Sequence, residues 1–178
     1  MADLIYSMEA TNTEFHPYQF KPVLKMLNSP SGSILIADEV GMGKTIEAGL
    51  IWTELKARYD FKRLLFLCPN SLRKKWEAEL SDKFGLDARI VGSDDLLFLL
   101  SNRSGIGREQ ALIGGIQNFR PRRDWKSKPD EELIAADKLM RYLESEGGDD
   151  PYFDLLVVDE SHHLKNEESV QHELGSLL

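Results

Sequence analysis

The sequence contains a single cysteine, Cys68, so no disulfide bond can form within this chain. Such sparse cysteine use fits a reducing compartment. No apolar run approaches the roughly 20 residues that a membrane-spanning helix needs. Residues 1–9 also lack the basic start and long apolar segment of a signal peptide. We therefore predict an intracellular, cytoplasmic protein.

Positive charge is scarce as well, with 22 basic against 30 acidic residues and a net charge of -8. This balance argues against nonspecific nucleic-acid binding by the surface as a whole. The exception is the stretch 102–129, which carries seven basic and two acidic residues among several glycines and prolines. We predict that this stretch contains a mobile basic insertion.

The 178 residues suffice for one domain with a buried core. Three runs are apolar at every position, as strands covered on both faces are: Ile34–Ala37, Leu64–Cys68 and Leu155–Val158. Helical patterns lie between them, near 45–59, 71–81 and 130–146, with weaker strand patterns at 89–91 and 111–113. This alternation predicts an α/β fold with a mostly parallel, doubly wound sheet. We take 1–15 as a lead-in and 16–178 as one domain.

A glycine-bearing loop, Asp38–Thr45, joins the first apolar run to a helical pattern. Its Gly41, Met42 and Gly43 allow backbone N–H groups to turn toward phosphate oxygens, and the following helix adds a partial positive charge. Lys44 can reach the β- and γ-phosphates of a nucleotide, and the Thr45 hydroxyl can ligate Mg²⁺. Asp38 occupies the position where this type of loop usually begins with glycine. A loop with a fortuitous Gly-Lys-Thr is the alternative interpretation.

Two acids, Asp159 and Glu160, directly follow the last apolar run. The carboxyl ends of parallel strands form the edge where ligands bind in open α/β sheets. At that edge, Asp159 can hold Mg²⁺ and Glu160 can orient and deprotonate an attacking water. We expect both acids to converge with Lys44 on one cleft. Two acids that merely end a strand are the alternative.

Three segments together resemble a known family: Asp38–Gly49, Leu67–Leu72 with the following Trp76-Glu77, and Asp159–Asn166. In this order they are similar to the first motor lobe of superfamily 2 helicase-like ATPases of the Swi/Snf type, in particular the bacterial members. The resemblance covers about His16 to Asn166. It implies a RecA-like P-loop NTPase lobe, for which an Asp at position 38 is ordinary.

The resemblance also implies roles at the nucleotide. Gln19, within His16–Gln19, resembles the glutamine that reads the adenine edge and so favours ATP, although a solvated helical glutamine is the alternative. Gly43, Lys44 and Thr45 match the phosphate-binding motif, with Asp159 and Glu160 as the magnesium and water-activating pair. His162 matches a histidine that couples the nucleotide site to neighbouring motifs, or is a structural hydrogen-bonding residue. The implied cofactors are ATP and Mg²⁺.

Nucleic-acid contacts are implied at Pro69, Asn70 and Ser71, where hydroxyl, amide and helix N-terminal N–H groups suit a phosphate. An ordinary helix cap is the alternative there. The basic cluster 120–128 is a second candidate, with Arg122 and Arg123 as phosphate contacts and Trp125 as a stacking platform. A solvated loop is the favoured interpretation of that cluster.

The chain ends 178 − 160 = 18 residues after Glu160. We therefore expect a truncated, monomeric first lobe that lacks the second RecA-like lobe and binds ATP-Mg²⁺ without efficient turnover. In the full-length protein it belongs to a nucleic-acid-dependent ATPase, a helicase-like translocase or remodeller acting on double-stranded DNA. The alternatives are a small P-loop phosphotransferase and a non-catalytic ATP-binding interaction module.

Overall fold

The computed structural model describes residues 16–36, 43–102, 110–146 and 151–160. The chain divides into two compact units. The first unit comprises Met1–Phe61 and Ala78–Asp87, and the second comprises Lys62–Glu77 and Ala88–Leu178. Gly41, Met42 and His162 lie outside the described residues, as do the lead-in 1–15 and residues 103–109.

Helices and strands alternate along most of the described chain. In order they are α1 (Lys21–Leu27), α2 (Lys44–Tyr59), β1 (Arg63–Cys68), α3 (Arg73–Phe84), β2 (Ala88–Val91), α4 (Ser93–Ser101), β3 (Gln110–Gly115), α5 (Ala135–Glu146) and β4 (Leu155–Val158). Each pair of successive strands is separated by a helix, which is the pattern that parallel pairing requires.

The first unit contains α1, α2 and the C-terminal part of α3. A short 3₁₀ turn, Pro17–Phe20, precedes α1, and Pro22 lies in the first turn of that helix, where a missing N–H is tolerated. α2 begins after Gly43 and ends before Asp60, whose left-handed φ of 57° terminates it. Gly49 lets α2 approach α3, since a Cβ at this position would overlap the Phe84 ring.

The second unit contains the sheet, with strand order β2-β3-β1-β4 and all neighbours parallel. In β1, Phe66 is level with Ile113 of β3 on one side and with Val157 of β4 on the other. Five of the six residues of β1 and of β3 are buried, because both faces of these inner strands are covered.

Side chains of β1 alternate between the two faces of the sheet. Leu65 and Leu67 pack into a cluster with buried residues of α4 and α5, among them Leu96 and Leu139. Phe66 contacts Trp76 of α3, with ring centroids 4.9 Å apart. Helices therefore cover both faces, and the predicted doubly wound α/β fold is confirmed.

The apolar run that precedes the phosphate loop departs from its prediction. Residues 34–36 form no strand, and Leu35 is 70% exposed. An apolar run specifies neither a partner strand nor a register, and strand formation depends on both. Ala37 lies outside the described residues.

The stretch 102–129, predicted to contain a mobile basic insertion, also differs. From residue 110 onward it contains the inner strand β3, and its Phe119 and Trp125 are 0% and 2% exposed. The weaker strand pattern at 111–113 is thus confirmed as part of β3, and the residues that follow it are ordered. Within the described residues, no helix is long and apolar enough to cross a membrane.

Candidate functional site

Gln19 lies in the 3₁₀ turn that precedes α1. Its Oε1 accepts a hydrogen bond from the His16 backbone N–H at 3.0 Å, and the side chain is only 3% exposed. A carbonyl oxygen has two lone pairs and the amide nitrogen donates, so the amide retains the capacity to pair with an adenine edge. Adenine recognition by Gln19 stays a prediction.

Gly43 lies directly against this glutamine. It has a left-handed φ of 95°, and a Cβ at this position would be 2.6 Å from Gln19 Nε2. The structure thus brings together two residues that the sequence predicts at the nucleotide. Only glycine satisfies both the backbone angle and the close approach of the amide.

Lys44 and Thr45 are the first two residues of α2, a helix of 16 residues. The N–H groups of a helix's first turn have no partner within the helix, and they carry its partial positive charge. Gly43 accepts the first helical hydrogen bond, from Glu47 N–H at 3.0 Å. A helix start of this kind suits an anion, and phosphate binding by it stays a prediction.

In the second unit, Asp159 continues from the carboxyl end of β4. Its backbone N–H donates to Leu67 O at 2.8 Å, which extends the pairing with β1 by one residue. Its Oδ2 accepts a hydrogen bond from Trp76 Nε1 at 3.1 Å, and its Oδ1 accepts one from Glu160 N–H at 2.9 Å. The Asp159 carboxylate is therefore fixed at both oxygens.

Glu160 has a φ of 57°, in the left-handed region that few residues other than glycine adopt. Such backbone costs of order 1–3 kcal/mol and occurs often at functional sites. The turn ends β4 abruptly, so both acids lie at the carboxyl edge of the sheet.

These residues fit Mg²⁺ bound together with a nucleotide. Within the described part of the chain, no group of three or more histidine, cysteine or acidic residues can hold a metal ion. Mg²⁺, however, is usually bound through one or two carboxylates, several waters and the substrate phosphates. A single oriented carboxylate such as Asp159 meets that requirement, and the role of the Thr45 hydroxyl as a magnesium ligand stays a prediction.

Cys68, the last residue of β1, is not a further candidate. Burial raises the pKa of its thiol to about 12, the negative charge of Asp159 adds to the increase, and Arg73 opposes it. The thiol is therefore protonated at neutral pH, which disfavours a nucleophilic role.

Three amide side chains connect the segments that follow β1 and β3. The Asn70 backbone N–H donates to Gln117 Oε1 at 2.9 Å, and Asn70 Nδ2 donates to Asn118 Oδ1 at 2.8 Å. A Cβ on Gly115 would overlap Asn70 Oδ1, so the Asn70 side chain occupies the space that this glycine leaves. Gln117 and Asn118 were missed from the sequence, although two amides directly after an apolar strand are a usable signal.

These contacts distinguish Asn70 from Ser71. Asn70 is bound within the protein, whereas Ser71 is exposed and follows it in the short turn that leads into α3. Of the three residues of the segment Pro69–Ser71, Ser71 is thus the exposed one. Nucleic-acid contact by the segment stays a prediction.

The basic cluster 120–128 is ordered against α5 instead of forming a solvated loop. Arg122 forms an ion pair with Asp137 at 2.6 Å, and Lys126 forms one with Glu144 at 2.6 Å. Trp125 is 2% exposed, and its carbonyl accepts a hydrogen bond from Arg141 at 2.9 Å. The suggested stacking of Trp125 on a base is wrong, because the ring belongs to the core.

The cluster nevertheless leaves one predicted contact accessible. Arg123 is exposed, whereas the Arg122 guanidinium is engaged with Asp137. The sequence did not predict this structural role for Arg122, because its partner lies 15 residues away. The convergence of Lys44 with Asp159 and Glu160 also stays a prediction.

Comparison with known proteins identifies the family of this chain. A family model described as "Type III restriction enzyme, res subunit" matches residues 12–174. The chain is 30% identical over 159 residues to the uncharacterized ATP-dependent helicase YqhH of Bacillus subtilis (strain 168). That match covers 88% of this chain and 23% of the relative.

Among solved structures, the chain resembles the SWI2/SNF2 ATPase core of Sulfolobus solfataricus, determined in complex with double-stranded DNA. The TM-score is 0.62 at 21% identity, over 95% of this chain and 31% of that one. This likeness confirms the RecA-like fold. From the family match, the chain belongs to the helicase-like family of type III restriction enzyme res subunits, as an ATPase domain of the superfamily 2 type.

Proposed function

We propose that this chain is the first nucleotide-binding lobe of a nucleic-acid-dependent ATPase, a helicase-like translocase or remodeller of the cytoplasm. The observation that carries the proposal is the Asp159 carboxylate, held at both oxygens at the carboxyl end of β4 and followed by Glu160. A carboxylate held at both oxygens has a fixed orientation, which favours metal binding.

In this proposal, ATP binds at the start of α2. Lys44 contacts the β- and γ-phosphates, and the first-turn N–H groups of α2 receive further phosphate oxygens. Gln19 pairs with the adenine edge, which gives preference for ATP over GTP. The contact between Gln19 and Gly43 supports this arrangement, because the residue proposed to read the base lies next to a glycine proposed to bind the phosphates.

Thr45 and Asp159 would hold Mg²⁺, which when bound neutralises charge on the phosphates. Glu160 orients the attacking water and takes its proton. In this proposal Asp159 binds the metal and Glu160 transfers the proton, so each acid has one task. The left-handed turn at Glu160 supports this division, because it changes the chain direction between the two acids.

Double-stranded DNA is the proposed partner, because the similar SWI2/SNF2 core was determined with it. The exposed Ser71 hydroxyl and the Arg123 guanidinium contact phosphates without reading bases. Asn70 and Arg122 support these two residues from within the fold. In the full-length protein, cycles of ATP binding and hydrolysis move the lobes along the duplex.

We also propose that the 178-residue chain binds ATP-Mg²⁺ without efficient turnover. It spans 23% of the curated relative that it matches. In the motors that it resembles, arginines of a second lobe stabilise the transferring phosphoryl group. Such an arginine contributes about 10³–10⁵ in rate.

Nucleotide titration tests the proposal. We would measure binding of a fluorescent ATP analogue to the chain, with Mg²⁺ or with a chelator, and with ATP or GTP as competitor. Lys44→Ala is expected to weaken binding about 10- to 100-fold, since a charge-assisted hydrogen bond contributes about 1.5–3 kcal/mol. Lys25→Ala, which removes an exposed lysine of α1, is the matched control. ATP binding that survives Lys44→Ala unchanged would refute the proposed site.

A further inference from the structure

The contact between Trp76 and Asp159 joins two residues that lie 83 positions apart in the chain. Trp76 is on α3, and Asp159 follows β4. The indole Nε1–H is a donor without acceptor capacity, so the polarity of this hydrogen bond is fixed. The Trp76 ring is 5% exposed, which keeps solvent from competing for the bond.

The ring itself is held by the sheet. Its centroid lies 4.9 Å from that of Phe66, at an interplanar angle of 40°. Phe66 is 1% exposed and lies in the middle of β1, level with Val157 of β4. A continuous set of packed groups therefore runs from the centre of the sheet through the indole to the Asp159 carboxylate.

The charge of the donor also matters for a cation site. A lysine or arginine at this position would orient the carboxylate equally well, but its positive charge would oppose a nearby cation. The indole is neutral, so it fixes the carboxylate and leaves its negative charge available. The second oxygen is fixed by the adjacent Glu160 N–H, which is also uncharged.

We propose that Trp76 is a positioning residue that holds the Asp159 carboxylate in the orientation required to bind magnesium with the nucleotide. This inference rests on the proposed function of Asp159. Groups that orient a metal ligand typically contribute about 10- to 100-fold to metal affinity. The sequence presents Trp76 only as part of a family segment and assigns it no role, because its partner Asp159 lies 83 positions away.

Trp76→Phe keeps an aromatic ring against Phe66 and removes the donor, and the loss of ring size is matched by the same substitution at Trp125. We would titrate Mg²⁺ at fixed fluorescent ATP analogue, and separately titrate the analogue in chelator. Trp76→Phe is expected to raise the half-saturating Mg²⁺ concentration about 10-fold, while affinity in chelator is unchanged. Trp125→Phe, the same substitution at a buried tryptophan on the opposite face of the sheet, is expected to change neither value.

Asp159→Asn separates this inference from the proposed function. If it abolishes the Mg²⁺ dependence and Trp76→Phe has no effect, the positioning role is refuted while the site stands. If Asp159→Asn also has no effect, the magnesium site and the positioning role are both refuted. A double variant that behaves like Asp159→Asn alone supports action through the carboxylate.

A second measurement needs neither nucleotide nor metal. The indole Nε1–H resonance of Trp76 is identified in a ¹⁵N spectrum as the one that Trp76→Phe removes. Asp159→Asn replaces a charge-assisted bond with a neutral one, so this resonance is expected to shift upfield while those of Trp52 and Trp125 remain in place. An unshifted Trp76 resonance would overturn the inference.

Discussion

The guanidinium of Arg122 donates to the buried carboxylate of Asp137 at 2.8 Å, and the Arg122 backbone N–H donates to the other oxygen at 2.8 Å. Ile134 N–H adds a third donor at 3.2 Å. Burial acts to raise the pKa of Asp137, but these donors and the Arg122 charge hold that pKa below its ordinary value. One carboxylate on α5 thus fastens the segment between β3 and α5.

Arg122→Ala is therefore expected to reduce the free energy of unfolding by about 3 kcal/mol, because it leaves a buried charge without its partner. Urea denaturation of the chain, followed by circular dichroism, measures this change. The neighbouring exposed arginine gives the control, since Arg123→Ala should alter stability by no more than about 0.5 kcal/mol. Equal destabilisation by the two variants would contradict the assignment.

For DNA binding, the two arginines should rank the other way, with Arg123→Ala having the larger effect. Arg123→Ala should weaken binding to duplexes of different sequence alike, and it should reduce the slope of log K against log salt by about 1 if one phosphate contact is lost. Fluorescence anisotropy at several salt concentrations provides the slope. An unchanged slope would remove Arg123 from the proposed DNA contacts.

The hydrogen bonds of Asp154 make the stability of the folded chain sensitive to acid. Its carboxylate accepts hydrogen bonds from Lys62 N–H, Arg63 N–H and the Arg63 guanidinium, each at 2.8 Å. Burial acts to raise the pKa of Asp154, but these donors lower it overall. The folded pKa is below the unfolded one, so its stabilisation is present at neutral pH and is lost as pH falls through the folded pKa.

We expect Asp154→Asn to reduce stability at pH 7 and to flatten the decline of stability that begins below about pH 5. Urea midpoints measured from pH 7 to the lowest pH at which the chain stays folded test this. Asp82→Asn, which neutralises an exposed carboxylate of α3, is the control and should leave the profile close to that of the parent. Parallel profiles for the parent and Asp154→Asn would contradict the prediction.

Two left-handed glycines of the first unit differ in their surroundings. Gly32 has a φ of 64° and no atom within 4 Å of an added Cβ, whereas an added Cβ at Gly43 would meet the Gln19 amide. Gly32→Ala should cost about 1 kcal/mol from backbone strain alone. Gly43→Ala should introduce the same backbone strain and, in addition, displace the buried Gln19 amide. It should therefore also weaken ATP binding at least tenfold. Thermal unfolding and nucleotide titration distinguish the two variants. Equal ATP affinities of Gly32→Ala and Gly43→Ala would contradict the prediction.

Asn70 and Gly115 should show coupled effects on stability. Gly115→Ala is expected to destabilise by about 1–3 kcal/mol, because the methyl group overlaps the Asn70 side chain. Removing that side chain with Asn70→Ala relieves the overlap, so the double variant should be more stable than the sum of the two changes implies. Gly92→Ala, whose Cβ would lie at an ordinary 3.7 Å from Asp95, is the control. Strict additivity would contradict the geometry.

Cys68 should react slowly with thiol reagents in the folded chain. Because the pKa of its thiol is raised to about 12, the thiolate fraction at pH 8 is about 10³-fold below that of an unfolded cysteine. Labelling with a chromogenic disulfide, with and without denaturant, measures the difference. Asp159→Asn removes one cause of the raised pKa and should accelerate labelling of the folded chain. Rapid labelling of the folded parent protein would refute this prediction.

Local sequence patterns predicted much of the fold correctly. The helix from about Thr45 to Tyr59 and the strand Leu155–Val158 are confirmed, because a helical or fully apolar pattern is a property of consecutive residues. The strand predicted at residues 34–36 is absent, because strand formation needs a partner strand that an apolar run does not specify. The sequence did not predict α4, although five of its nine residues are apolar.

By itself, the sequence identified the residues that we propose to carry the chemistry. Gly43, Lys44 and Thr45 come at the start of a helix, and Asp159 and Glu160 come at the end of a strand, because these are relations between neighbours in the chain. Only the tertiary structure decided which side chains support them. Trp76 reaches Asp159 across 83 positions and Asp137 engages Arg122 across 15, and such contacts arise from the packing of helices against the sheet, which no local pattern specifies.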